Sequence, residues 1–215
     1  MRIVIAGGHG QLALLLSRRL SDRGDSVVGL IRNPGHAAEV MAGGAEPVTA
    51  DLEAIDAAAL AEHLAGADAV VFAAGAGPSS GAARKDTVDR GAAALLADAA
   101  VRAGVRRHLQ VSAMGVDDAP AGDEVFAVYL RAKAAAEQDL RSRDLNWTIL
   151  RPGGLTDEPA SGTVRLEPHV ESGKIARDDV AAVLVALLDE PRTAGKTLEL
   201  VGGDTPIDAA VAAVG

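Results

Sequence analysis

Short apolar runs alternate along the chain with longer stretches whose apolar residues recur at helical spacing. The runs, rich in Val, Ile and Leu, are continuous rather than alternating, which is typical of strands buried on both faces of a parallel sheet. The pattern therefore predicts a doubly wound α/β fold of about seven strands. The predicted strands are Arg2–Ala6, Ser26–Ile31, Glu46–Ala50, Ala69–Ala74, Arg107–Ser112, Asn146–Leu150 and Thr197–Val201.

The stretches between these strands have the length and periodicity of amphipathic helices. A length of 215 residues suits one sheet covered on both faces, so we expect a single domain over residues 1–215. Two glycine-containing loops, Gly75–Gly81 and Gly115–Asp123, follow the carboxyl ends of predicted strands, where open α/β sheets bind ligands. The predicted helices are Gln11–Arg23, Pro34–Ala42, Ile55–Ala65, Asp86–Ala103, Glu124–Arg143 and Arg177–Asp189.

Composition and charge narrow the choice of partner. No apolar run approaches the roughly 20 residues that span a bilayer, and the first six residues are too short for a signal peptide, so we expect a soluble, cytoplasmic protein. A net charge of −9 without a basic run argues against nucleic acid and anionic membranes. The absence of cysteine and the scattering of five histidines predict no metal site. We therefore expect a small-molecule substrate, bound by a monomer or a homodimer.

The first predicted strand runs into a turn, Gly7-Gly8-His9-Gly10, that opens the first helix. Small residues at Gly7, Gly10 and Ala13 suit a tight turn, a close approach of backbone to a pyrophosphate, and close packing of helix on strand. A purely structural glycine turn is the alternative. The loop lacks the Gly-Lys-Ser/Thr ending of a P-loop, which argues against a kinase or an ATPase. The predicted dinucleotide contacts here are Gly7, Gly8, His9, Gly10, Gln11 and Leu12.

The ends of the next predicted strands supply further candidate cofactor residues. Arg32-Asn33 stands where NAD-specific proteins carry an acid, and an arginine suits a 2′-phosphate, so we predict NADP with NADPH preferred over NADH; a solvent-facing arginine is the alternative. Asp51-Leu52 brings a carboxylate toward the adenine or else caps the following helix. Ala73, Ala74 and Gly75 are small enough to pass beneath a ribose.

With these residues the sequence resembles the atypical short-chain dehydrogenase/reductases, in the small NAD(P)-binding branch near the NmrA-like and biliverdin/flavin reductase-like proteins. The resemblance spans nearly the whole chain and implies a Rossmann fold with seven parallel strands. It also implies that Pro152, Gly153, Gly154 and Leu155 belong to the cofactor site. The motifs that carry it are the glycine loop, Asp51-Leu52, Ala73–Gly75, Val88-Asp89, Val111–Gly115, Tyr129–Lys133 and Thr148–Gly154.

Tyr129 and Lys133 stand four residues apart on a predicted helix, so both side chains share one face. The resemblance implies that Tyr129 exchanges a proton, that Lys133 lowers the pKa of the tyrosine and holds the nicotinamide ribose, and that Ser112 orients a carbonyl. Asp89 stands where catalytically complete relatives carry asparagine, and an aspartate could anchor a water or the Lys133 ammonium. The alternatives are a chance pair on an amphipathic helix and a pair that only binds ribose.

The short carboxyl-terminal part leaves residues 156–173 as the expected substrate-side flap, in which His169 is either a proton donor or an exposed loop histidine. A short flap predicts a shallow, open site, which favours a small or planar acceptor such as a flavin, quinone or carbonyl compound. The leading hypothesis is an NADPH-dependent reductase. A non-catalytic NADP(H)-sensing module and an NAD(P)-dependent nucleotide-sugar epimerase or dehydratase are the alternatives.

Overall fold

Seven parallel strands form the centre of the fold in a computed structural model that describes residues 1–77 and 80–215. Their order across the sheet places the first strand between the second and the fourth, the arrangement of a doubly wound domain. The strands of the described residues are β1 (Arg2–Ala6), β2 (Ser26–Ile31), β3 (Glu46–Thr49), β4 (Ala69–Phe72), β5 (Arg107–Val111), β6 (Asn146–Pro152), β7 (Gly154–Thr156), β8 (Thr163–Glu167), β9 (Lys174–Ala176), β10 (Lys196–Gly202) and β11 (Thr205–Pro206).

Helices cover both faces of the sheet, which confirms the predicted Rossmann-type fold. A π-helix, Lys85–Ala92, joins two α-helical segments after β4. Short 3-10 helices cover Pro34–His36 and Pro191–Thr193. The α-helices are α1 (Gln11–Asp22), α2 (Ala37–Ala42), α3 (Ala57–His63), α4 (Ala82–Arg84), α5 (Ala93–Ala103), α6 (Val125–Arg141), α7 (Arg177–Leu188) and α8 (Ile207–Val214).

The parallel strands run in the order β3-β2-β1-β4-β5-β6-β10. Alternate residues of β1 feed two separate cores: Ile3 and Ile5 pack with α1 and α7, whereas Val4 and Ala6 pack with α3, α5 and α6. Burial on both faces is the reason that β1 reads as a continuous apolar run. The strand order reverses at β1, so the crevice at the carboxyl ends of β1 and β4 is the expected ligand site.

The edge beyond β10 differs from the sequence-based expectation. Within the predicted flap, Thr163–Glu167 forms β8, which pairs antiparallel with β10, and β11 pairs in turn with β8, so the described part of the chain forms a sheet of nine strands. Val164 and Leu166 point into the core from β8. Because β8 belongs to the sheet, it cannot cover the ligand site. A smaller part of residues 156–173 is therefore left to act as a flap.

The described residues contain no helix that is both long and apolar enough to cross a membrane.

Candidate active site

The glycine turn after β1 is built by backbone contacts that leave no room for side chains. Gly7 has a φ of +82°, and a Cβ there would lie 2.6 Å from the Cα of Ala74. A Cβ on Gly8 would lie 2.6 Å from the Cα of Gly29, because the Gly8 N–H donates to the Leu30 carbonyl at 2.9 Å. The turn is therefore held between β2 and the loop that follows β4, in the crevice where the strand order reverses.

The amino end of α1 faces this crevice with its backbone N–H groups uncapped. Gly10 takes the cap position, and no described side chain accepts a hydrogen bond from the first turn. The first turn also contains no acidic residue. A helix amino terminus of this kind attracts negative charge and supplies hydrogen-bond donors to it. The turn and the helix together fit a dinucleotide pyrophosphate.

A pocket of about 220 Å³ extends from the glycine turn toward the ends of β2 and β3. Arg32, Asn33, Asp51 and Leu52 line it, and His36 lies beside them. The Asp51 carboxylate accepts from the Glu53 N–H at 3.0 Å, so it also caps the turn after β3. An adjoining pocket of about 210 Å³ contains His9 and Arg32. These pockets have the position of an adenosine site.

Glu53 joins two arginines at the wall of the adenosine pocket. Its carboxylate accepts from Arg32 Nη1 at 3.1 Å and from Arg84 Nη2 at 2.5 Å, and Thr87 Oγ1 donates to it at 2.7 Å. The hydrogen bonds from Arg84 and Thr87 lower the pKa of Glu53, so it is anionic at neutral pH. The Glu53 carboxylate thus lies between the guanidinium groups of Arg32 and Arg84. The same two groups could bind a phosphate.

A larger cavity of about 660 Å³ lies on the other side of the glycine turn, above the carboxyl ends of β4, β5 and β6. Its mouth is apolar: Val125, Phe126 and Leu155 line it and are 43%, 65% and 40% exposed. Its floor contains the chemistry-bearing residues that the sequence predicts. They are Ser112, Tyr129, Lys133 and Asp89, with Gly10, Gln11, Leu12, Ala73, Ala74, Gly75 and Pro152 around them.

Tyr129 and Lys133 share one face of α6, as their spacing predicts. The Lys133 ammonium lies 5.8 Å from the centre of the Tyr129 ring and 3.3 Å from Asp89 Oδ1, and it donates to the Val111 carbonyl at 3.2 Å. Asp89 is fully buried, and its other oxygen accepts from the Ala76 N–H at 3.3 Å. Asp89 therefore anchors the Lys133 ammonium, one of the two roles expected of an aspartate at this position.

Burial shifts the pKa values of both Tyr129 and Lys133. Burial, with a contribution from the Asp89 charge, raises the pKa of Tyr129 to about 12. Burial also lowers the pKa of Lys133, and the neighbouring Asp89 opposes that shift. With its pKa raised to about 12, the tyrosine is a neutral phenol at physiological pH, and the Lys133 ammonium is paired with Asp89.

The Ser112 hydroxyl forms its hydrogen bond beneath the cavity. Its Oγ donates to Glu137 Oε1 at 2.5 Å, and Glu137 is fully buried beneath the cavity. Arg151 binds both oxygens of Glu137, at 2.9 and 2.7 Å, and both oxygens of Asp117. The single hydroxyl proton of Ser112 is therefore directed at Glu137, and toward the cavity Ser112 presents an acceptor.

Several expected cofactor residues lie apart from these cavities, and several unexpected residues lie in them. Gly153 and Gly154 are used for chain packing: their N–H groups donate to Leu200 and Gly173, and a Cβ on Gly153 would lie 2.3 Å from the Gly173 carbonyl oxygen. Four charged residues that line the pockets were not predicted, because they belong to no motif and only the folded chain brings them to the pockets. The missed residues are Lys85, Arg177, Glu53 and Arg84.

A glycine turn against an uncapped helix, at the reversal point of a parallel sheet, defines a dinucleotide-binding domain of the Rossmann class. The sequence profile of the NAD(P)H-binding family matches residues 7–191. The chain belongs to that family, and its resemblance to the atypical short-chain dehydrogenase/reductases is confirmed.

Three similar proteins illustrate the range of the family. The uncharacterized sugar epimerase YhfK of Bacillus subtilis is 38% identical and aligns over 96% of this chain and 97% of its own. A candidate NAD-dependent epimerase/dehydratase from Bacillus halodurans superposes with a TM-score of 0.92 at 36% identity, covering 99% of both chains. The anaerobillin reductase ChuY of Escherichia coli O157:H7 superposes with a TM-score of 0.80 at 25% identity, covering 95% of this chain and 98% of its own.

Proposed function

We propose that this protein is an NADPH-dependent reductase that transfers a hydride to a small or planar acceptor and uses Tyr129 as the proton donor. A bound NADPH would supply the hydride. As the C=O or C=N double bond of the acceptor is reduced, the Tyr129 hydroxyl gives its proton to the heteroatom, and solvent later restores that proton. The observation that carries the proposal is the half-buried phenol on the floor of the large cavity, beside Lys133 and Asp89.

The raised pKa of Tyr129 favours reduction over a base-initiated reaction. A phenol with a pKa of about 12 is protonated at pH 7, with a phenolate fraction of about one in 10⁵. Reduction needs the proton, whereas oxidation of a sugar hydroxyl, the first step of epimerisation, needs the phenolate. The names of the Bacillus relatives favour an epimerase as the second candidate, and the state of Tyr129 ranks it below a reductase.

The apolar mouth of the large cavity supports an acceptor that is flat. Phe126 stacks near Tyr129, with ring centres 6.0 Å apart and planes inclined by 29°. Val125 and Leu155 complete an open rim, and the antiparallel pairing of β8 with β10 keeps part of the expected flap in the sheet. A planar ring system would stack on these side chains and bury apolar surface.

Purified protein assayed for loss of NADPH absorbance tests the proposal directly. We expect turnover with at least one class among flavins, quinones, aldehydes and linear tetrapyrroles, and weaker turnover with NADH. An epimerase would instead convert a nucleotide sugar without net consumption of NADPH. Tight NADPH binding without turnover on any of these acceptors would favour a cofactor-sensing protein and contradict the proposal.

The choice of NADPH over NADH rests on Arg32 and Arg84. Arg32→Ala is expected to raise the Kd for NADPH about 10-fold and to leave the Kd for NADH within about 2-fold, because only NADPH offers a phosphate to the guanidinium. Calorimetric titration with both cofactors measures the two constants. Glu53→Gln, which removes the competing carboxylate, should tighten NADPH binding. The matched control is Arg18→Ala, an exposed arginine on α1. Equal weakening of both cofactors by Arg32→Ala would contradict the assignment.

A further inference from the structure

The large cavity contains a second lysine that neither the glycine turn nor the Tyr129–Lys133 pair explains. Lys85 begins the π-helix, is only 6% exposed, and places its ammonium 5.3 Å from the centre of the Tyr129 ring. The ammonium donates to the Gly77 carbonyl at 2.7 Å, which uses one of its three N–H bonds. Segments of π-helix occur frequently at functional sites.

The charges around Lys85 do not balance. Among the described residues, the lining of the large cavity contains three cations, Lys85, Lys133 and Arg177, and a single carboxylate, Asp89. Asp89 forms its ion pair with Lys133, and Arg177 pairs with Asp157 outside the lining. A buried ammonium without a carboxylate partner is costly to maintain, and a ligand of opposite charge would offset that cost. This positive cavity lies in a protein with a net charge of −9.

We propose that Lys85 binds an anionic group of the substrate, so that the acceptor is a planar compound that also carries a carboxylate or phosphate. The inference rests on the proposed reductase function and narrows its substrate class. Lys85 and Tyr129 flank the same space, so one small ring system can touch both. The apolar rim of Val125, Phe126 and Leu155 contacts the ring, while Lys85 fixes the end that carries the charge.

Matched pairs of acceptors that differ only in charge test this proposal. The probes are 4-carboxybenzaldehyde against its methyl ester and FMN against riboflavin, each titrated calorimetrically into protein saturated with NADP⁺ and then assayed with NADPH. We expect the wild-type protein to bind at least one anionic member about 10-fold more tightly than its neutral counterpart. We expect Lys85→Met to remove that preference and Lys85→Arg to keep it. Arg18→Met, which deletes one exposed positive charge, should leave it unchanged.

The outcomes of these experiments distinguish a failure of the proposed anion site at Lys85 from a failure of the proposed reductase function. If the wild-type protein shows no anionic preference in either pair, or if Lys85→Met weakens both members equally, the proposal is overturned and Lys85 acts on Tyr129 or on the Gly77 loop. A weaker Kd for NADPH in Lys85→Met would assign Lys85 to the cofactor and also overturn it. Charge-selective binding without turnover on flavins, quinones, aldehydes or linear tetrapyrroles would leave the anion site intact and refute the reductase function instead.

Discussion

Replacing Tyr129 with phenylalanine is expected to lower kcat for the best acceptor by about 100-fold or more while the Kd for NADPH stays within about 2-fold of wild type. The substitution removes only the hydroxyl that gives the proton, and it retains the ring that stacks near Phe126. Steady-state kinetics and calorimetric titration provide the two values. An unchanged kcat would mean that solvent or another group protonates the acceptor.

The ionisation of Tyr129 can be measured without interference because the chain contains no other tyrosine. Its pKa is raised to about 12, so the acid needed for reduction is lost only as the pH rises toward that value, and activity should not fall between pH 7 and 10 through this group. Ultraviolet absorbance of the phenolate reports the titration. Asp89→Asn should lower the pKa of Tyr129, because the Asp89 charge contributes to raising it. Phenolate appearing below pH 9 in the wild-type protein would contradict the assigned role.

The hydrophobic pattern predicts most of the parallel strands because they are buried on both faces, which favours a continuous apolar run. The edge strand β3 is the exception, since none of its residues is fully buried. The strands β8 and β11, at the edge of the sheet beyond β10, were missed because they contain no continuous apolar run. In β8, Val164 and Leu166 alternate with Arg165 and other polar residues, and a five-residue alternation inside a loop-like stretch is a weak signal. β11, with two residues, has no pattern to detect.

The features of the candidate site also divide into those that the sequence predicts and those that it does not. The spacing of Tyr129 and Lys133 predicts their shared face, since a helix brings residues four apart together. The direction of the Ser112 hydroxyl depends on Glu137, which is distant in sequence and becomes a neighbour only when α6 packs beside β5. The position of Lys85 depends on a π-helix, a local irregularity that helical periodicity does not encode. Long-range partners and irregular turns therefore account for what the sequence left out.

Arg151→Met is expected to lower the free energy of unfolding by about 3 kcal/mol, since removing one partner leaves a buried charge without compensation. Arg151 is 5% exposed and binds the fully buried Glu137 through two hydrogen bonds. Glu137 keeps Arg141 at 2.7 Å and the Ser112 hydroxyl, which places the loss at the lower end of the range for such pairs. In a domain of this size the midpoint of thermal unfolding should fall by roughly 6–12 °C.

Two further variants show whether the uncompensated Glu137 charge causes this loss. Arg90→Met breaks an exposed ion pair with Asp86 four residues away on the π-helix, and it should change the free energy of unfolding by less than about 0.5 kcal/mol. Arg151→Met combined with Glu137→Leu should be more stable than Arg151→Met alone, because the orphaned carboxylate is gone. Urea unfolding followed by circular dichroism measures all three. If the double variant is less stable than the single one, the loss comes from packing around Arg151 rather than from the buried charge, and Glu137 would then serve mainly to hold Ser112 as an acceptor toward the cavity.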